Sequence, residues 1–119
     1  MTDLWVLLIR EPDWDSDRYL PGGEGAAAAA EDFSEHGRFE QAVTEAGARI
    51  VTAWALQNRR HGGTVTPGPD ATWGEPVVDG ERVLTGLYAL ECDERTARRL
   101  AEVTPTGGVV ELRKVFPTG

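Results

Sequence analysis

The chain has 119 residues, with 20 Asp and Glu against 12 Lys and Arg, for a formal net charge of −8. That length holds one domain around one core. The acidic balance argues against nucleic-acid backbones and anionic membrane surfaces, both of which reward clustered Lys and Arg. The single cysteine, Cys92, excludes an internal disulfide, so no oxidising compartment is required.

Residues 4–9 (LWVLLI) read as a first strand, apolar on both faces. No basic segment precedes them, and the run is too short for a signal sequence or a bilayer span. The cytoplasm is therefore the expected location, and residues 1–119 the expected single domain. Residues 11–25 are acidic and rich in Pro and Gly. They read as a loop, and Trp14 and Tyr19 within it call for cover. The alanine pentad at 26–30 opens a predicted helix that runs to about Ala46 and stops at Gly47, a residue suited to the left-handed position after a helix.

Residues 48–56 read as a second strand. Residues 57–79 are polar and Pro/Gly-rich, with one short strand expected near 64–66 and a hairpin arm near 76–79. Asp79-Gly80 is a turn signal before a third strand at 83–90. Asp93 is placed to cap a second helix, which ends at Thr104-Pro105. Gly107-Gly108 permit a turn into a last strand over 109–115. Cys92, at a strand end, reads as a small packing residue.

Strand, helix, strand occurs twice in this order. The predicted fold is α+β, a ferredoxin-like βαβ-βαβ arrangement with an antiparallel sheet. Two helices cover one face of such a sheet. The strands at 4–9, 50–56 and 83–90 carry apolar residues for both faces, so the second face needs cover as well. A homodimer formed through the sheet faces satisfies that need.

On a helical wheel Asp32, His36, Phe39 and Val43 share one face. An aspartate one turn before a histidine is positioned to accept its ring N–H and fix its tautomer, which makes His36 a candidate general acid or base. The alternative is that Asp32 complements the helix dipole and His36 is a half-buried boundary residue. Glu111 and Arg113 project from one strand face. Arg113 is a candidate anion anchor, or else the two pair with each other or across the dimer. Trp5, Trp54 and Tyr88 fall on predicted strands, where they line either a ligand cavity or an ordinary core. Trp14 and Trp73 fall in loops. The two histidines, His36 and His61, lie in different elements without metal-ligand spacing, and no nucleotide-binding or nucleophile motif is present. No metal or cofactor is expected. Residues 58–61 (NRRH) form a short basic patch that reads as solvated.

The opening WVLLI, the helix ending in EAGARIV, the Val78-Asp79-Gly80 turn, TGLYALE and the closing VELRKV resemble the YCII-related superfamily, and within it the DGPF-domain subgroup. The resemblance covers most of the chain. It implies a ferredoxin-like domain that dimerises through its sheets as a dimeric α+β barrel. It also implies an acid–base or ligand-contacting role for His36, which precedes Gly47 by the eleven residues seen in that family. Glu81-Arg82 stand where the name-giving motif has Pro-Phe. Thr104, not an aspartate, precedes Pro105.

The expected function is small-molecule binding, with cofactor-independent acid–base catalysis by His36 oriented by Asp32. Trp54, Asp79, Tyr88 and Arg113 are the expected substrate contacts. The alternative is a non-catalytic regulatory or protein-interaction module, since the DGPF subgroup resembles partners of extracytoplasmic-function sigma factors.

Overall fold

A computed structural model describes residues 2–20 and 26–117, with the side chains of the second segment described from Ser34 onward. Strand β1 (Asp3–Glu11) alternates along its length, with Trp5, Leu7 and Ile9 buried and the residues between them partly open. A period of two with one side fully buried is the mark of a strand with one face on a core. β1 is central. It pairs antiparallel with β5 (Val83–Cys92) on one side and with β6 (Val109–Lys114) on the other. β2 (Arg49–Ala55) completes the sheet in the order β2-β5-β1-β6, as an edge strand with Val51 and Trp54 exposed.

Helices α1 (Ala26–Glu45) and α2 (Glu94–Glu102) follow β1 and β5. Phe39 and Val43 of α1 and Ala97 and Leu100 of α2 join Trp5, Leu7, Ile9, Tyr88, Leu90 and Cys92 in one buried cluster. Both helices therefore cover the same face. The architecture is α+β with a four-stranded antiparallel sheet, compatible with the expected ferredoxin-like arrangement.

Helix ends follow their local chemistry. Gly47 (φ 77°) sits just past α1, where its N–H donates to the Thr44 carbonyl and that of Ala48 to the Val43 carbonyl. This double bond closes the free carbonyls of the last turn, and the positive φ selects glycine. At the start of α2 the Asp93 carboxylate accepts from the Thr96 N–H at 2.8 Å, a bond that holds the Asp93 carboxyl below its ordinary range.

The middle of the chain differs from expectation. Residues 64–66 do form a strand, β3 (Thr64–Thr66), and its partner is an unexpected strand, β4 (Thr72–Gly74), while the arm expected near 76–79 is reduced to the Asp79–Arg82 bridge. Pro67, Gly68 (φ 138°) and Pro69 supply the turn, so pairing resumes as soon as the backbone can return. Thr72-Trp73-Gly74 is too short a segment for periodicity to register. The hairpin's Trp73 is 74% exposed.

The loop after β1 is folded over neighbouring chain, as Trp14 and Tyr19 required. The Trp14 indole N–H donates to the Leu56 carbonyl (2.9 Å), the buried Ser16 hydroxyl accepts from the Asn58 N–H (2.7 Å), and Trp14 stacks on Tyr19. The basic residues at 59–61 answer the loop's acids rather than standing alone in solvent. Arg59 pairs with Asp13, Arg60 with Asp15 and Asp17, and His61 with Asp17. Arg60, then His61, hold the Asp17 carboxyl below its ordinary range. No helix among the described residues is long and apolar enough to cross a membrane.

Candidate functional site

A cleft of about 590 Å³ opens between the sheet, α1 and the loop after β1. Small residues create it. Ala53, Ala55 and Gly86 occupy adjoining helix-side positions of β2 and β5, where larger residues would fill the space beside His36. A Cβ added at Gly86 would stand 3.0 Å from the Trp54 carbonyl oxygen, a tight contact that the neighbouring backbone would have to yield to accommodate. Next to Gly86 the β1–β5 ladder slips by one residue: Ile9 pairs with Gly86 but Arg10 with Leu84, leaving Thr85 as the extra residue of a bulge. Bulges re-aim side chains beside functional sites. Here the Thr85 hydroxyl donates to Glu11 Oε1 at 2.7 Å, fixing one oxygen of a carboxylate at the cleft wall.

His36 also lines the cleft, and its Nδ1 lies 2.5 Å from the Tyr88 hydroxyl. Tyr88 is 4% exposed, and its ring packs on Phe39 with centroids 4.7 Å apart. The spacing in α1 explains the pairing. Phe39 and Val43 anchor the helix on the sheet, and His36, one turn before Phe39, reaches the polar tip of the tyrosine at the end of the core. Burial, and secondarily the Glu40 carboxylate, push the Tyr88 phenol up to about 12. The phenol is thus a neutral O–H at physiological pH. With the hydroxyl as donor to Nδ1, the imidazole carries its proton on Nε2. With Nδ1 as donor, Nε2 is left as a base. The pair is built to hold or pass a proton between a phenol and an imidazole.

Of the residues expected to carry the site, His36 and Tyr88 are brought together. Trp54 borders the cleft, but the register sets it opposite Leu87 on the face away from the helices, where it is 62% exposed. Arg113 lies opposite Val6 on that same open face and pairs with Glu111 at 3.3 Å, as one of its expected alternatives held. Asp79 forms the Asp79–Arg82 bridge around Gly80, away from the cleft. Asp32 is on α1 one turn before His36, with its side chain outside the described residues. Sequence reasoning missed Glu11 and Thr85. Their only signal was the broken alternation at Thr85-Gly86, which reads equally well as part of an apolar strand. Among the described residues no group of three or more His, Cys, Asp or Glu is placed to hold a metal ion.

The raised phenol has a measurable consequence. A phenol whose folded-state value lies above its unfolded value of 10.0 stabilises the fold below pH 10, and that contribution is lost as pH climbs from 10 to about 12. The loss amounts to about 2–3 kcal/mol by linkage. Urea denaturation across this range should show Tyr88→Phe losing less stability than the native chain. Parallel pH profiles for the two proteins would remove the phenol from this account.

These features define an α+β protein with a small-molecule-sized cleft between its sheet and first helix. No protein-family model and no curated protein matches the chain.

Proposed function

We propose that this is a small-molecule-binding protein whose cleft performs cofactor-independent acid–base chemistry through His36, with Tyr88 as its immediate partner. The observation that carries the reading is the His36–Tyr88 pair at the wall of a 590 Å³ cleft. Pockets of this size bind small organic molecules, and an imidazole held by a buried phenol is a group suited to proton transfer. The reaction class is elimination, isomerisation or hydrolysis by proton shuttling. The resemblance to the YCII-related, DGPF-type proteins supports the same residue. A cytoplasmic setting goes with the reading, since the lone thiol of Cys92 is buried and raised, first by burial and then by Asp93, and so kept unreactive.

The second part of the proposal is a homodimer through the open sheet face, giving a dimeric α+β barrel. That face presents Leu4, Val6 and Leu8 of β1 beside Leu87 and Ala89 of β5, and among the described residues no helix covers it. Four strands at ~4.8 Å spacing and ~25 Å length span roughly 500 Å² in plan, before side-chain relief is added. A stable interface buries ~800 Å² per partner, so the face is of the right order. Beside these residues Arg10, Glu111 and Arg113 form consecutive ion pairs, so the charges on this face are already paired within one copy.

One observation favours a non-catalytic protein-interaction module: Trp73 and Val77, 74% and 75% exposed, lie outside both the cleft and the open sheet face. Native mass spectrometry after exposure to a metabolite extract separates the readings. The native chain should retain a small molecule, and Ala55→Trp, which fills the cleft, should not. His36→Gln should then slow turnover of that molecule by about 10²–10⁴-fold with the fold intact. Retention indifferent to Ala55→Trp would remove the cleft from the function, and turnover indifferent to His36→Gln would remove the acid–base role.

A further inference from the structure

The charges lining the cleft are of one sign. Glu11 and Glu35 stand on its walls, and no Lys or Arg lines it among the described residues. Residues 21–33, whose side chains lie outside the description, contain no Lys or Arg in sequence either. The acids of the adjoining loop, and several on the strands and α2, are treated differently. Asp13, Asp15 and Asp17 in the adjoining loop are answered by Arg59 and Arg60, and Glu91, Glu94 and Glu111 by Arg49, Arg98 and Arg10. Glu11 and Glu35 take part in no ion pair among the described residues, although Glu11 is only partly exposed and one of its oxygens is fixed by Thr85. A carboxylate held in place inside a cleft, with cations withheld from it, is an electrostatic complement waiting for a positive charge.

The walls specify the rest of the ligand. Trp14 lines the cleft with its N–H already spent on the Leu56 carbonyl, and its ring is steadied by Tyr19. What remains of it for a ligand is its π surface, which attracts cations. Ile9, Pro12 and Pro105 contribute apolar surface for a hydrocarbon body. An anionic substrate would meet two carboxylates with no guanidinium or ammonium to offset them, at a cost of several kcal/mol for like charges brought together. Arg113, the anion anchor expected from sequence, faces the other side of the sheet.

We propose that the ligand of this cleft is an organic cation, an amine or quaternary ammonium on an apolar body, with its positive charge between Glu11 and the face of Trp14. This rests on reading the cleft as a ligand site, and it names the class of molecule which that site accepts. In an acid–base reaction the amine would sit beside His36 and Tyr88 with its charge satisfied by Glu11, leaving the imidazole free to take a proton from the neighbouring carbon or oxygen.

The test uses three probes of one shape and different charge: phenethylamine, 2-phenylethanol and 3-phenylpropionate, titrated calorimetrically into the intact protein. Phenethylamine should bind at least tenfold more tightly than the alcohol, and the carboxylate should not bind measurably. Glu11→Gln retains an acceptor for the Thr85 hydroxyl, and it should weaken the amine tenfold or more while leaving the alcohol unchanged. In ¹⁵N-edited spectra the Trp14 indole signal should move with the amine, and the same spectra establish that the variant is folded. Carboxylate binding equal to or tighter than amine binding, amine affinity indifferent to Glu11→Gln, or no amine binding at all would overturn the inference. Binding is read here without turnover, so a protein that binds the amine but moves no proton would retain the ligand class and lose only the acid–base role.

Discussion

Gly108→Ala is expected to destabilise the fold by about 2–4 kcal/mol, the penalty of an overpacked site whose obstacle is backbone. Gly108 sits just before β6, where the chain turns in to pair with the end of β1. A Cβ placed there would lie 1.9 Å from the Arg10 carbonyl oxygen and 3.0 Å from the Glu11 Cα. No side chain can swing aside to relieve such a contact. The Arg10–Val109 pair, which ends the β1–β6 ladder, would have to part. The Glu11 carboxylate at the cleft wall would move with it, so a ligand held there should weaken even in a variant that still folds. Gly107→Ala is the matched control. Nothing lies within 4 Å of its added Cβ and its φ is not positive, so it should stay within about 0.5 kcal/mol of the native chain. Urea denaturation reads both, with a lower midpoint and an unchanged slope for Gly108→Ala. Equal midpoints for the two variants would show that β1 and β6 do not approach as described.

Leu8→Glu is expected to convert the proposed dimer into a folded monomer, raising the dissociation constant by at least a hundredfold, or about 3 kcal/mol. Leu8 is at the middle of the open face, on the central strand, with Leu87 and Glu111 as its cross-strand neighbours. In a face-to-face dimer two copies of the new carboxylate would be buried near the two-fold axis beside two copies of Glu111, whose ion pairs already engage Arg10 and Arg113. Removing charge from water with no partner is what interfaces tolerate least. In the isolated chain the same position is only partly covered, and Glu should be borne with little loss of helix signal. Sedimentation of both proteins over a range of concentrations decides the matter. A native chain that remains a well-folded monomer at high concentration would remove the dimer, and an associating Leu8→Glu would place the interface elsewhere. Trp73 on the hairpin would be the first alternative to mutate.

Most of the strand and helix pattern was legible because it is written locally. Alternation in residues 4–9, the capping aspartate at 93, the stop at Thr104-Pro105 and the glycine at 47 each act within a few residues of themselves. The expected helix from Ala26 to about Ala46 is matched by α1 ending at Glu45, and the second helix begins at Glu94, directly after the capping Asp93. The hairpin strand at 72–74 was not legible, since three residues cannot display a period and Trp73 is left 74% exposed beside Gly63.

The site divides along the same line. His36 was found from its spacing to Phe39 and Val43, because a helix face is a short-range property. Its partner was not, since Tyr88 is 52 residues away and the two meet only after β5 lies beside α1. Glu11 and Thr85 were invisible for a related reason: a bulge depends on how two strands line up, and neither strand carries that alignment alone. Amino-acid order by itself determined the α+β class, the element order and the face on which His36 stands, since all of these arise from contacts between near neighbours. Which side of the sheet Arg113 and Trp54 occupy relative to the cleft, and that Glu11 and not a cation lines it from β1 among the described residues, were decided only by strand register in the folded chain. Register is a cooperative outcome of the whole sheet, and a slip of one residue would exchange every one of those side chains between the two faces.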